Sequence, residues 1–346
     1  MTRARDNAFN PFNNQVAGKN FIINGAFDFW QRGNSFTLTA GIPTTGTYTA
    51  DRWSLGGGGV WIISRETPSV AGSQYALRLR RNTGSTATGD NFIVQTIESA
   101  NVMMLAGKTL TLSFNLKKGS DFSGTGVYSV PRYGTGTDEG VNLGYNGGWS
   151  GNGQFLNVVN PTTTSTRYSY TFTLPSTAKE LMFLMGYQSQ SGTATANDWI
   201  EFEQIQLELG SSATQFSRAG GTIGGELSLC QRYYYRDTLE KHLAHVRDTN
   251  LWFITKTFPV RMRSALSFSH NLITKVTPGT FPGTAGQIGI YSNGWVAQNA
   301  TALSCSSDGG SNDHGSFYIV GFNGTLGQVG SIQSNGASYF EWNAEL

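Results

Sequence analysis

The sequence predicts an all-β protein, and three observations carry that reading. Only 13% of residues are charged, about half the roughly 25% of an ordinary globular chain. Gly supplies 44 of the 346 residues, and Thr, Ser and Asn are abundant. Apolar runs are short and bounded by Gly, Ser, Thr or Pro, without heptads or an internal repeat. β-Branched and aromatic residues fit a pleated, half-buried surface and Gly and Asn supply turns, whereas long helices draw on Glu, Lys, Ala and Leu. At roughly 150 residues per domain, the length predicts two domains.

Residues 1–19 read as an extended arm, polar and too poor in apolar residues to fold alone, with Arg3, Arg5, Phe9, Pro11 and Phe12 as its contact residues. The first domain spans 20–217, opening on the Asn24-Gly25 turn signal. Strands are expected at 52–55, 61–65, 75–80, 91–97, 110–116, 168–174, 181–187 and 199–209. In the last of these Trp199, Glu201, Glu203, Ile205 and Leu207 share one face if the strand has no bulge. Residues 119–153 lack alternation and read as a long Gly-rich functional loop. The pairs Gly220-Gly221 and Gly224-Gly225 place a linker at 218–226. The second domain, 227–346, begins with one helical turn passing into a strand by Tyr235. Strands at 242–247, 251–258, 265–270, 287–291, 316–322 and 338–342 then make a smaller β-sandwich.

Several function classes are disfavoured. A formal net charge of +2 with scattered basic residues argues against nucleic acid. No apolar run reaches the roughly 18 residues that span a bilayer, and the opening lacks a signal-peptide core, so no membrane insertion or secretion is expected. Cys230 and Cys305 form no metal or redox motif and read as buried thiols. His242, His245, His270 and His314 are too dispersed for a zinc site, and no cofactor is expected. The carboxylate pairs Asp138/Glu139 and Glu201/Glu203 are the only glycosidase candidates considered, and each is better explained by solvation or a structural strand. No nucleophile elbow or phosphate loop appears, so no catalytic residue is assigned and the chain is not expected to be an enzyme.

Sugar binding asks for exposed rings flanked by hydrogen-bonding side chains. Tyr128, Tyr133, Asp138, Asn142, Tyr145, Asn146 and Trp149 meet that description in the Gly-rich stretch, and Tyr291, Asn293, Trp295, Asp308, Asp313 and His314 meet it in the second domain. The competing explanation is that these rings plug sandwich ends or pack between subunits. Trp30, Trp53, Trp61 and Trp199 lie in or beside strands and read as core or subunit contacts.

The run Asn24-Gly25-Ala26-Phe27-Asp28-Phe29-Trp30-Gln31-Arg32-Gly33, followed by Tyr48-Thr49-Ala50-Asp51-Arg52-Trp53, resembles the opening of a jelly-roll module of bacteriophage tail-fibre and receptor-binding proteins. Gln204-Ile205-Gln206-Leu207-Glu208-Leu209-Gly210 resembles its closing strand, and also the end of jelly-roll carbohydrate-binding modules. Leu229-Cys230-Gln231-Arg232-Tyr233-Tyr234, Phe258-Pro259-Val260-Arg261-Met262-Arg263, the terminal Phe340-Glu341-Trp342 and the opening Thr2-Arg3-Ala4-Arg5-Asp6 are similar to other parts of such fibres. The resemblance implies a jelly roll and a homotrimer, made in the host cytoplasm and placed in the virion tail. Its arm docks on other tail or baseplate proteins, and its loops bind host surface polysaccharide. The alternating Tyr233-Tyr234-Tyr235 run then points at least one ring into a trimer interface. The chain lacks the family's long shaft, and the 119–153 stretch has no counterpart in it. The alternatives are a baseplate, fibre-adaptor or capsid-decoration protein without glycan binding and, below these, a polysaccharide depolymerase.

Overall fold

A computed structural model describes residues 17–38, 47–238, 241–248, 251–264, 267–270, 274–275, 287–291, 304–311, 314–320, 329–333 and 339–345. Arg3, Arg5, Phe9, Pro11 and Phe12, expected from sequence to dock the arm, lie outside the described residues. The chain divides into two compact units, residues 1–230 and 231–345. Both are built of strands, and the protein is all-β. No helix among the described residues is long and apolar enough to cross a membrane.

The first unit contains β1 (Ser35–Leu38), β2 (Thr47–Tyr48), β3 (Ser54–Gly57), β4 (Trp61–Glu66), β5 (Ala76–Arg81) and β6 (Asn91–Ile97). They are followed by β7 (Thr109–Lys118), β8 (Gly124–Gly134), β9 (Gly153–Gln154), β10 (Asn157–Val159), β11 (Thr166–Thr173), β12 (Glu180–Gln190) and β13 (Trp199–Leu209). Three short helices, α1 (Ser99–Val102), α2 (Val141–Tyr145) and α3 (Ile223–Gln231), interrupt or follow them. Sheet one runs β1-β4-β5-β13-β7-β11 and sheet two runs β10-β8-β12-β6-β3-β2, with β9 also on β8. From β5 to β8 and from β11 to β13 the long strands alternate between sheets, the winding of a jelly roll.

Alternation buries one face of each sheet. Leu181, Phe183, Met185 and Tyr187 of β12 meet Leu110, Leu112, Phe114 and Leu116 of β7 in one core. Each such side chain contributes about 1.5–3 kcal/mol by leaving water. Strand β13 does contain a bulge between Glu203 and Gln206, with Gln204 at φ 50°. The bulge turns Ile205 and Leu207 inward with Ile200 and Phe202, so they do not share the face of Glu201 and Glu203.

Two of the runs that carried the fibre resemblance, the opening and closing runs of the first unit, meet in one place. Asn24 holds Phe29 through both its amide atoms and bonds the Asp51 carbonyl, while Trp53 Nε1 donates to the Asn24 carbonyl. Asp51 accepts from the Gln31 backbone and amide. Ile205 N donates to the Gly25 carbonyl at 2.8 Å, joining opening and closing segments. Trp30, Trp53 and Trp61 are buried here as core, whereas Trp199 lies on the outer face of sheet one with Arg78 4.3 Å over its ring.

Two stretches depart from the sequence expectation for identifiable reasons. Residues 124–134, expected within a loop, form the eleven-residue strand β8, paired with β12 over its whole length. Pro131 is tolerated because its side of the ladder faces the gap between β9 and β10, where its carbonyl accepts only from Phe155 N. Residues 218–226, expected as a linker, are pinned to the first unit. Arg218 pairs with Asp28 at 2.7 Å, and buried Glu226 accepts from Asn24 N and Gly220 N. Thr222 caps α3 by accepting from Gly225 N, and a Cβ on Gly225 would stand 2.2 Å from the Gly220 carbonyl oxygen. These glycines serve close backbone packing, not freedom.

The second unit contains β14 (Tyr234–Thr238), β15 (Lys241–Asp248), β16 (Leu251–Thr257), β17 (Ser267–His270), β18 (Thr274–Lys275), β19 (Gln287–Tyr291), β20 (Ser304–Ser311), β21 (His314–Val320), β22 (Val329–Gln333) and β23 (Tyr339–Asn343). They form a β14-β23-β17 sheet and a seven-stranded β18-β19-β22-β15-β16-β21-β20 sheet. Val246, Trp252, Ile254, Ile319, Phe340 and Trp342 are buried. In the tyrosine run Tyr233 and Tyr234 are buried, and half-buried Tyr235 stacks on Trp342 with centroids 5.9 Å apart.

Candidate functional site

Because side chains alternate, the strands of sheet two carry a second row facing away from the core. In register across four strands lie Tyr128 (β8), Gly186 (β12), Phe92 (β6) and Gly56 (β3), with Val130, Leu184 and Val94 in the next row. Both first-row glycines admit a close neighbour, and a Cβ on Gly186 would stand 1.8 Å from the Asn91 carbonyl oxygen. A Cβ on Gly56 would stand 2.4 Å from the Tyr145 ring, which reaches over the sheet from α2. Phe92 is therefore flanked by two tyrosines, Tyr128 at 5.8 Å and Tyr145 at 6.1 Å between centroids, the latter edge-on.

These rings border a cleft of about 420 Å³. Its floor is Phe92, Val130 and Leu184, and its walls include the exposed Leu156. Asp90, Arg132 and Gln154 bring polar atoms to the same cleft. Arg132 is held in place, with Nη1 donating to the Gly144 and Tyr145 carbonyls at 2.7 and 2.6 Å and Nη2 to Gln154 Oε1 at 2.8 Å. It thereby fixes the C-terminal end of α2, and with it Tyr145, over the sheet. Asp90 Oδ1 accepts from Ser189 N at 2.9 Å. Burial, reinforced by the Asp90 charge and opposed by Arg132, pushes the Tyr145 phenol up to about 12, so its hydroxyl remains a donor at neutral pH. Burial likewise lowers the Arg132 pKa, against the raising influence of Tyr145. The arrangement offers an apolar floor, two ring faces and a rim of donors and acceptors.

Of the glycan-binding candidates from sequence, the cleft unites Tyr128 and Tyr145. Trp149 is not a platform: it is 2% exposed, packs with Val94, Val130, Val141, Met182 and Leu184, and donates from Nε1 to the Glu139 carbonyl. Tyr133 faces the core, where it packs on Phe155 at 5.6 Å. Asp138 is spent on anchoring, exchanging hydrogen bonds with Ser99 of α1, and Asn146 donates to the Asn142 carbonyl at the end of α2. Tyr291 ends β19, opposite Ser331, while Trp295 and Asp313 lie outside the described residues. Asp90, Phe92, Arg132 and Gln154 were missed. The signal was the Gly126, Tyr128, Val130, Arg132 alternation, legible only once 124–134 is read as a strand.

Carboxylates of both pairs have partners within the chain. Glu201 is 1% exposed and bound by Lys117 at 2.6 Å and by Arg78, while Glu203 accepts from Ser69 N and Val70 N. Glu139 accepts from Ser150 N and Oγ. His242 stands 3.3 Å from Asp237.

No protein-family profile matches the chain, and no curated protein matches it. Similar solved structures include the enzymatically active domain of tailspike protein 4 of bacteriophage CBA120, at 15% identity and TM-score 0.32, covering 55% of this chain and 21% of that one. They also include the C-terminal family 22 carbohydrate-binding module of Clostridium thermocellum Xyn10B, at 11% identity and TM-score 0.33, covering 50% of this chain and 100% of the module. A putative sugar-binding protein of Bacteroides thetaiotaomicron is similar at 14% identity and TM-score 0.34, covering 55% of this chain and 100% of that one.

Proposed function

We propose that this chain is a phage tail-fibre component that holds host surface glycan in the cleft on sheet two and does not cleave it. The cleft itself carries the reading. Its volume of about 420 Å³ lies within the roughly 300–1,000 Å³ of small-ligand sites, and rings over an apolar floor with a polar rim suit a sugar's apolar face and hydroxyls. The fibre assignment is supported by the ordered sequence runs in both halves of the chain. On this reading the chain is a homotrimer, docked to tail or baseplate proteins by Arg3, Arg5, Phe9, Pro11 and Phe12, and three weak sites act with avidity.

A glycan array followed by calorimetry with host polysaccharide tests the site. Binding is expected for the wild type and its loss in the Tyr128→Ala, Tyr145→Ala double variant; equal binding by both proteins rejects the cleft. Polysaccharide chain length should stay unchanged on incubation, and shortening would make the protein an enzyme. Light scattering should return three times the 37.4 kDa chain mass, and a monomer rejects the trimer. Deleting residues 2–12 should abolish virion incorporation without unfolding the protein, and retained incorporation rejects the docking role.

A further inference from the structure

We propose that Glu180 is a proton-operated latch, which holds the insert of residues 135–152 against the outer face of sheet two while neutral and releases it on ionising. Glu180 opens β12 opposite Gly134, and its side chain is 2% exposed. One carboxyl oxygen accepts from Glu139 N at 2.5 Å. The other, Oε2, is shut off from solvent without a hydrogen-bond partner among the described residues. It sits over Gly134, where an added Cβ would lie 2.8 Å from Oε2 and 3.0 Å from Trp149 Cβ. The charged groups whose fields reach Glu180 are Glu139 and Asp138, both acidic. Among the described residues, a negative charge here thus has one backbone donor, no cation and two like charges.

The same insert also contains a group of opposite preference. Glu139 is held ionised by the Ser150 backbone and hydroxyl, which lower its pKa, so its bonds pull Ser150 toward the turn of residues 136–140. Glu180 is pushed up to about 7, first by burial, against the lowering pull of the Glu139 N–H, and further by the side-chain hydrogen bond and charge of Glu139 and by the charge of Asp138. Its pKa is raised on docking, so its contribution is fully present below the ordinary carboxylate value of about 4.5 and is lost as pH rises through about 7. Between those limits Glu139 is charged, Glu180 is largely neutral and both bonds form. Since α2 presents Tyr145 to the cleft, release of the insert also opens one cleft wall. The latch is independent of what the cleft takes.

Amide hydrogen exchange over residues 136–150 in the full chain, normalised to β7 amides, tests it without any ligand. Protection in the wild type should fall roughly thirtyfold between about pH 5.5 and about pH 8.5, while Glu180→Gln should hold it constant. A flat wild-type profile, or the same fall in Glu180→Gln, overturns the latch. If the variant does not fold, NMR titration of the wild-type Glu180 carboxyl decides: a midpoint near 7 supports the proposal, and one at the ordinary value of about 4.5 overturns it.

Discussion

The outer faces of the two sheets in the first unit carry similar residue types and end in different states. On sheet one every carboxylate discussed above is met by the chain itself. Arg78 and Lys117 close on Glu201, the 69–70 backbone on Glu203, and Thr214 on Glu208. On sheet two the insert covers one end, burying Trp149 over Met182 and setting Tyr145 edge-on to Phe92, and leaves a cleft beside Tyr128 and Phe92. The difference separates a polar face met by its own chain from one that leaves a cleft, the face on which the proposed function places the glycan. Polar and aromatic residues mark a site only where the same chain has not already supplied their partners.

Five substitutions test that contrast. Trp149→Ala should lower the stability of the first unit by about 3–5 kcal/mol in urea unfolding, because it empties a packed site; a small loss with abolished glycan binding would return Trp149 to the site. Glu201→Ala should cost about 2 kcal/mol, reduced from the buried-pair value because Arg78 and Lys117 are partly exposed, and leave binding intact. Loss of binding in the folded variant would erase the distinction between the faces. Tyr128→Ala or Tyr145→Ala should each weaken glycan binding about tenfold, or about 1.4 kcal/mol, with smaller effects on unfolding. Smallest of all, Asn146→Ala should cost about 0.5 kcal/mol or less and leave affinity unchanged, since Asn146 is exposed beyond the cleft. A drop in affinity there would extend the site onto the insert.

How legible the protein was depends on the residue pattern locally. The strands at 91–97, 199–209 and 287–291 were read to their ends because apolar runs there are flanked by turn residues. Strand β8 was not, because Gly124, Gly126 and Gly134 with Pro131 mimic a loop. Each exception answers to a neighbour: Val158 above Gly126, Glu180 and Trp149 above Gly134, and the β9–β10 gap beside Pro131. The motifs that looked most distinctive, around Asn24, Asp51 and Gln206, turned out to tie opening to closing and to lie outside the cleft.

What the sequence by itself determined is the all-β class, most strand positions and the presence of tyrosines suited to a sugar, since alternation and turn chemistry are local properties. Tertiary structure alone decided which of those rings are spent. Trp149 and Tyr133 went to packing and Tyr128 and Tyr145 to a cleft, because a ring's burial depends on what the rest of the chain lays over it.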